Sequence, residues 1–257
     1  MRPKFVLFGS SIVQYNHYGE GWGATLAHLY GRKVDIVLRG YAGWNSTRGL
    51  QVVDDIFPKI SIEQRDQPAL AIVYFGGNDS HLPHPSGLGP HVRLEEYIQN
   101  MCKIANYLKI NSPKTRLIFL SCPPIGDEQT EGNIDAFGKA IRTNEVRKQY
   151  SDALLNMCSH MNIKAIDLWS LIQRRDDWKE VCFIDGIHFS AEGSEMVSKE
   201  IIKVIKEAEW EPNLYWKTMP VEFGEDSPFD PIHPLDPTKT INISNIPFPH
   251  GEDWEWE

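Results

Sequence analysis

The chain has 257 residues, of which 41% are hydrophobic and 24% charged, and it carries a formal net charge of -9 at pH 7. This is ordinary globular composition, with enough length for one large core. The acidic balance and the lack of any clustered basic stretch argue against a nucleic-acid groove, since neutralising phosphates needs Lys and Arg gathered on one surface.

Short β-rich runs recur along the chain at Lys4 to Phe8, Lys33 to Leu38, Leu70 to Phe75, Thr115 to Ser121 and Ile163 to Leu168. Each has the length of a buried strand. Between them Tyr97, Met101, Ile104 and Leu108 recur at helical spacing, as do Val146, Tyr150, Ala153, Leu154 and Met157, and both sets read as core faces. Ser190 is placed to cap a last helix with Glu192 and Glu195 near its start and Val197, Ile201, Val204 and Ile205 on its apolar side. Strand alternating with helix predicts an α/β fold in three layers, α/β/α, around a mainly parallel five-stranded sheet. Residues 1–208 are expected to form that domain. Residues 209–257, rich in proline, acids and isolated aromatics such as Trp210, Trp216, Phe229 and Trp254, read as an arm that packs on or near it.

Cys102, Cys122, Cys158 and Cys182 lie far apart, which suggests neither a zinc ribbon nor a disulfide framework. The apolar run Phe5 to Phe8 is too short for a signal-peptide core, and no run reaches the length of a membrane span, so cytoplasmic residence is expected. Asn45-Ser46-Thr47 and Asn242-Ile243-Ser244 match glycosylation spacing but read as chance.

In sheets of this kind ligands bind outside the carboxyl ends of the strands. The first strand runs into Gly9-Ser10-Ser11-Ile12, which puts hydroxyls at that edge with Ser11 as the natural nucleophile candidate. If Trp22 to Tyr30 supplies the following helix, its positive end would favour negative charge near Ser11. The turn lacks the lysine of a phosphate-binding loop and the second glycine of a Gly-x-Ser-x-Gly elbow, since position 13 is Val. The second strand ends in Arg39-Gly40-Tyr41-Ala42-Gly43 and the third in Gly76-Gly77-Asn78-Asp79. Late in the chain, Asp185 and His188 are close enough for the carboxylate to orient the imidazole. Nucleophile, base, orienting acid, backbone N–H and side-chain amide together form the set that acyl transfer requires.

In their order along the chain these segments resemble the SGNH or GDSL hydrolases over roughly the first 205 residues, and most closely the isoamyl acetate-hydrolysing esterases and the plant GDSL esterase/lipase branch. The resemblance implies a flavodoxin-like sheet and a serine esterase acting on short-chain, for instance acetyl, esters. It implies Ser11, Asp185 and His188 as the catalytic triad, with Ser11, Gly43 and Asn78 as the oxyanion hole. No metal or cofactor is called for, the expected partner is a small-molecule ester, and homo-oligomerisation is left open. One departure stands out: the family's usual Asp before the nucleophile is Ser10 here, which leaves Ser10 as a second nucleophile candidate. An acyltransferase using the same acyl-enzyme, and a non-catalytic binding protein on this scaffold, are the alternatives. His81, His84 and His91 read as loop residues before metal ligands, and Arg39 and Arg48 as partners of acids such as Asp79.

Overall fold

The computed structural model describes residues 2–17, 19–57, 67–126, 133, 135, 141–222 and 232–240. Five parallel strands, β1 (Lys4–Gly9), β2 (Asp35–Gly40), β3 (Leu70–Tyr74), β4 (Arg116–Leu120) and β5 (Lys164–Ile166), form one sheet in the order β2-β1-β3-β4-β5. Every predicted strand is present, with ends moved by at most two residues. This order reverses direction beside β1, and the gap between the carboxyl ends of β1 and its neighbours is where such sheets hold ligands.

Alternation along β1 shows why both faces must be covered. Phe5 and Leu7 point into one core and Val6 and Phe8 into the other, all at most 4% exposed. The first core is closed by helices α2 (Trp22–Leu29) and α9 (Ala191–Glu207), the second by α5 (Leu94–Asn111) and α6 (Asn144–His160). The predicted stripe of α5 is fully buried at Tyr97, Met101, Ile104 and Leu108. Ser190 caps α9 as its sequence suggests, its Oγ accepting from the Gly193 N–H at 3.2 Å.

The helix expected over Trp22 to Tyr30 is present as α2, but it does not follow Ser11 directly. The chain first forms a single turn, α1 (Ser11–Gln14), and then a 3-10 turn at Tyr15–His17. Close packing of α1 over β2 depends on Gly40, where a Cβ would sit 2.2 Å from the Gln14 nitrogen.

Past α9, residues 210–222 run back over the start of the sheet. Leu214 is buried, its carbonyl accepts from Tyr30 Oη at 2.8 Å, and the Trp216 carbonyl accepts from Lys33 Nζ at 2.5 Å. Arg32 Nη2 donates to the Glu222 carbonyl at 2.7 Å. A short antiparallel pair, β6 (Ile232–His233) and β7 (Asp236–Thr240), follows. The expected placement of Phe229, Phe248, Trp254 and Trp256 lies outside the described residues. Tyr30→Phe removes the buried bond to the Leu214 carbonyl and should cost about 1 kcal/mol. A thermal unfolding midpoint lowered by a few degrees would show it, and an unchanged midpoint would mean that the 210–222 segment is not docked there in solution.

Candidate active site

Three strand ends and one late loop converge on a cavity of about 240 Å³ whose lining includes Ser11, Gly43, Asn78 and His188. Ser10 and Ser11 follow β1 directly, and the structure separates them. Both line the cavity, but Ser10, the residue before α1, is only 2% exposed, while Ser11 is partly exposed. Ser11 is therefore the more accessible of the two hydroxyls.

The β2–α3 loop, where α3 is Ser46–Gln51, brings Gly43 to the same place. Gly43 has φ +80, a left-handed conformation that glycine adopts without steric cost. Neither its N–H nor that of Ser11 meets an acceptor among the described residues. Two unpaired N–H groups beside a partly exposed hydroxyl are the minimum that an oxyanion needs. The loop is stiffened by Tyr41 stacked on Trp44, with ring centroids 4.3 Å apart. Asn45 caps α3, its Oδ1 accepting from the Arg48 N–H at 3.1 Å while Nδ2 donates to the Pro90 carbonyl at 2.9 Å.

Asn78 enters from the β3 end, and its Nδ2 donates to the Trp44 carbonyl at 2.8 Å. Asp79 beside it is fully buried. Its Oδ1 accepts from the Ser46 N–H at 2.9 Å and its Oδ2 from the Gly76 N–H at 3.0 Å, so one carboxylate ties the Gly43 loop to the Asn78 loop. Burial pushes its carboxyl up to about 6, against the pull of the donors from Ser46 and Gly76. The expected pairing of Asp79 with Arg39 or Arg48 does not occur. Both arginines are exposed, and Arg39 Nη1 donates to the Leu38 carbonyl instead. A surface guanidinium cannot follow a carboxylate that the backbone has drawn into the core.

Asp185 and His188 occupy a tight loop closed by a bridge between Phe183 and Phe189 and by the Ile184 N–H donating to the His188 carbonyl at 2.8 Å. Gly186, at φ +79, makes the turn. Asp185 Oδ1 accepts from the N–H groups of Ile187 and His188 at 2.9 and 2.7 Å, and its Oδ2 lies 2.6 Å from His188 Nδ1. Partial burial alone would raise the Asp185 carboxyl, but these bonds from His188 and Ile187 outweigh it and hold the group well below the usual carboxylate range. Asp185 therefore stays ionised wherever an imidazole can cycle its proton. With Nδ1 engaged, Nε2 is left for the cavity. The Tyr15 ring meets the imidazole edge-on, centroids 5.3 Å apart, and fixes its tilt. Ser11 and His188 share the cavity without a hydrogen bond between them among the described residues.

Tyr15, Ile12 and His188 also border a second, larger cavity of about 560 Å³ between the starts of α2 and α9, walled by Trp22, Ile184 and Phe189. None of the oxyanion candidates Ser11, Gly43 and Asn78 lines it. His81, His84 and His91 do not converge: His84 Nδ1 bonds Ser86, His91 Nδ1 bonds the His81 carbonyl, and burial beside Arg142 and Arg147 pushes His81 down to about 3. Among the described residues no three His, Cys, Asp or Glu side chains gather as a metal site would require.

Two residues had no role in the sequence reading. Arg142 and Arg147 line the cavity behind Asn78 and are 8% and 0% exposed. A signal was present, since Arg147 shares the helical stripe of Tyr150, Ser151, Leu154 and Cys158, and a charge on a core stripe is a local conflict that calls for a reason.

Residues 7–196 match the model of the GDSL-like lipase/acylhydrolase family. The chain is 54% identical over 255 residues to the GDSL esterase/lipase WDL1 of Oryza sativa subsp. japonica, covering 99% of this chain and 96% of that protein. It is 33% identical over 208 residues to the isoamyl acetate-hydrolyzing esterase 1 homolog of Bos taurus, covering 79% and 82% of the two chains. Its fold is similar to that of a lipase/acylhydrolase from Enterococcus faecalis, with a TM-score of 0.59 at 21% identity over 81% of this chain and 97% of that one. A match over most of the sheet and its helices, with relatives aligned along nearly the whole length, leads to one conclusion: the chain belongs to the GDSL-like lipase/acylhydrolase family and is an ester hydrolase.

Proposed function

We propose that this chain hydrolyses short-chain carboxylic esters through an acyl-enzyme formed on Ser11. The observation that carries the reading is the Asp185–His188 bond at 2.6 Å in a loop that also lines the Ser11 cavity. His188 Nε2 takes the Ser11 proton as Oγ attacks the ester carbonyl, and Asp185 stabilises the imidazolium. The oxyanion is met by the N–H groups of Ser11 and Gly43 and by the second Nδ2 hydrogen of Asn78. His188 then passes its proton to the leaving alcohol, and water, activated in the same way, releases the acid.

The same chemistry assigns the two cavities. An oxygen that receives a proton from His188 must lie on the histidine's side, away from Gly43 and Asn78. The alcohol therefore extends toward the 560 Å³ apolar cavity, and the acyl group is confined to the 240 Å³ one, whose rear wall holds Arg142, Arg147 and Tyr74. Esters pairing a small acyl group with a larger apolar alcohol fit this division.

A serine-directed fluorophosphonate should add one label to the wild-type chain on the Ser11 peptide and none to Ser11→Ala, whose hydrolysis should fall by roughly three orders of magnitude or more. Labelling retained in Ser11→Ala and lost in Ser10→Ala would move the nucleophile to Ser10. Asn78→Ala should lower kcat by roughly two to three orders of magnitude, and a loss under about tenfold would remove Asn78 from the oxyanion hole. Across a series of acetates, kcat/KM should rise by about fourfold per methylene added to the alcohol, because each buried methylene contributes about 0.8 kcal/mol. Ala191→Trp, which fills the larger cavity from the first turn of α9, should flatten that series. Equal rates along it in the wild type would sink the cavity assignment.

A further inference from the structure

A side-chain amide is nearly symmetric in shape, so Asn78 could present either its NH2 or its carbonyl oxygen to the cavity, with opposite effects on a developing oxyanion. Two contacts tell its ends apart. The Trp44 carbonyl accepts from Nδ2 at 2.8 Å, and Arg142 Nη2 donates to Oδ1 at 3.4 Å. Reversing the amide would set its oxygen against the Trp44 carbonyl and its NH2 against a guanidinium.

The backbone leading into Asn78 is held by the same groups. The Gly77 carbonyl accepts from Arg142 Nε at 3.4 Å, from Arg147 Nη1 at 3.2 Å and from Ser80 Oγ at 3.2 Å. Arg147 is anchored in turn by donating from Nε to the Pro123 carbonyl at 2.8 Å, which fastens the first turn of α6 to the end of β4. Arg142 Nη1 also reaches Asn133 Oδ1 at 3.4 Å.

Fold stability is a poor reason for this arrangement. Taking a guanidinium out of water is costly, and apolar residues of similar volume commonly serve a core as well or better. Among the described residues Arg147 Nη2 is buried without a hydrogen-bond partner, so they do not fully offset the cost. What the two cations do supply is a directional hold on one peptide and one amide.

We propose that Arg142, braced by Arg147, is a positioning residue that sets the Asn78 amide for oxyanion stabilisation. The proposal rests on the oxyanion role given to Asn78 above. Arg142 acts through Asn78 and the Gly77 carbonyl, without touching the reacting atoms, so its effect belongs to the transition state and not to ground-state binding.

The test is a double-mutant cycle on the full chain, with kcat and KM measured on p-nitrophenyl acetate for wild type, Arg142→Gln, Asn78→Ala and the double variant. Arg142→Gln should lower kcat about tenfold or more with KM within about threefold, and should cost less than about twofold further in the Asn78→Ala background. Equal factors in the two backgrounds, or a kcat within about twofold of wild type, overturns the positioning role. If circular dichroism shows Arg142→Gln unfolded, the cycle is run with Arg142→Lys, which keeps the charge but not the fork that reaches both Gly77 and Asn78. A kcat loss of at least about threefold that vanishes beside Asn78→Ala supports the proposal, and equal losses overturn it. An Asn78→Ala effect under about tenfold withdraws the oxyanion reading and this proposal together, whereas a large Asn78→Ala effect beside a silent Arg142→Gln removes only the proposal.

Discussion

The carboxylate of Asp79 is the constraint on which the site depends. It sits at the floor of the cleft between β1 and its neighbours, wholly out of water, with one oxygen on the Ser46 amide and the other on the Gly76 amide. The first amide closes the loop that carries Gly43, and the second opens the segment that carries Asn78. Parallel strands leave their carboxyl ends unconnected to one another, so loops from β2 and β3 have no sheet bonds to keep them in register. A single buried acceptor bridging both gives them a common origin, and the Asn78 bond to the Trp44 carbonyl reinforces the link. Burial raises the carboxyl because the backbone donors only partly replace water.

The other half of the site is built on different principles. Asp185 and His188 need little help from the rest of the fold, because the loop between Phe183 and Phe189 supplies every bond that orients them. Tyr15 provides the remaining contact from the opposite end of the chain. The oxyanion side is thus rigid through buried, long-range ties, and the proton-transfer side through local ones on a partly exposed loop.

This difference explains what the sequence could reveal. Strands with doubly buried faces leave continuous apolar runs, and the stripes of α5 and α9 leave helical periods, so sheet and layers were legible. Asp185 and His188 were legible because their interaction is local. Asp79, Arg142 and Arg147 were not, because what they hold is decided by tertiary contacts between segments distant in sequence. Arg39 and Arg48 misled for the same reason, since closeness in sequence to Gly43 says nothing of which way a side chain points. Between the turns after Ser11 and the start of α2, Gly19 and Gly21 break the helical pattern, and both line the larger cavity.

Ser11 follows the first strand, while His188 lies just before the last helix of the folded domain, with α6 and β5 among the elements between them. A chain emerging from the ribosome can therefore lay down β1 and the proposed nucleophile early, yet carries no His188 to activate it until all five strands have been synthesised. Pairing of parallel strands adds to that delay, since each crossover must close before the next strand docks. On the proposed assignment, reactivity at Ser11 reports completed folding and is silent in chains that lack His188.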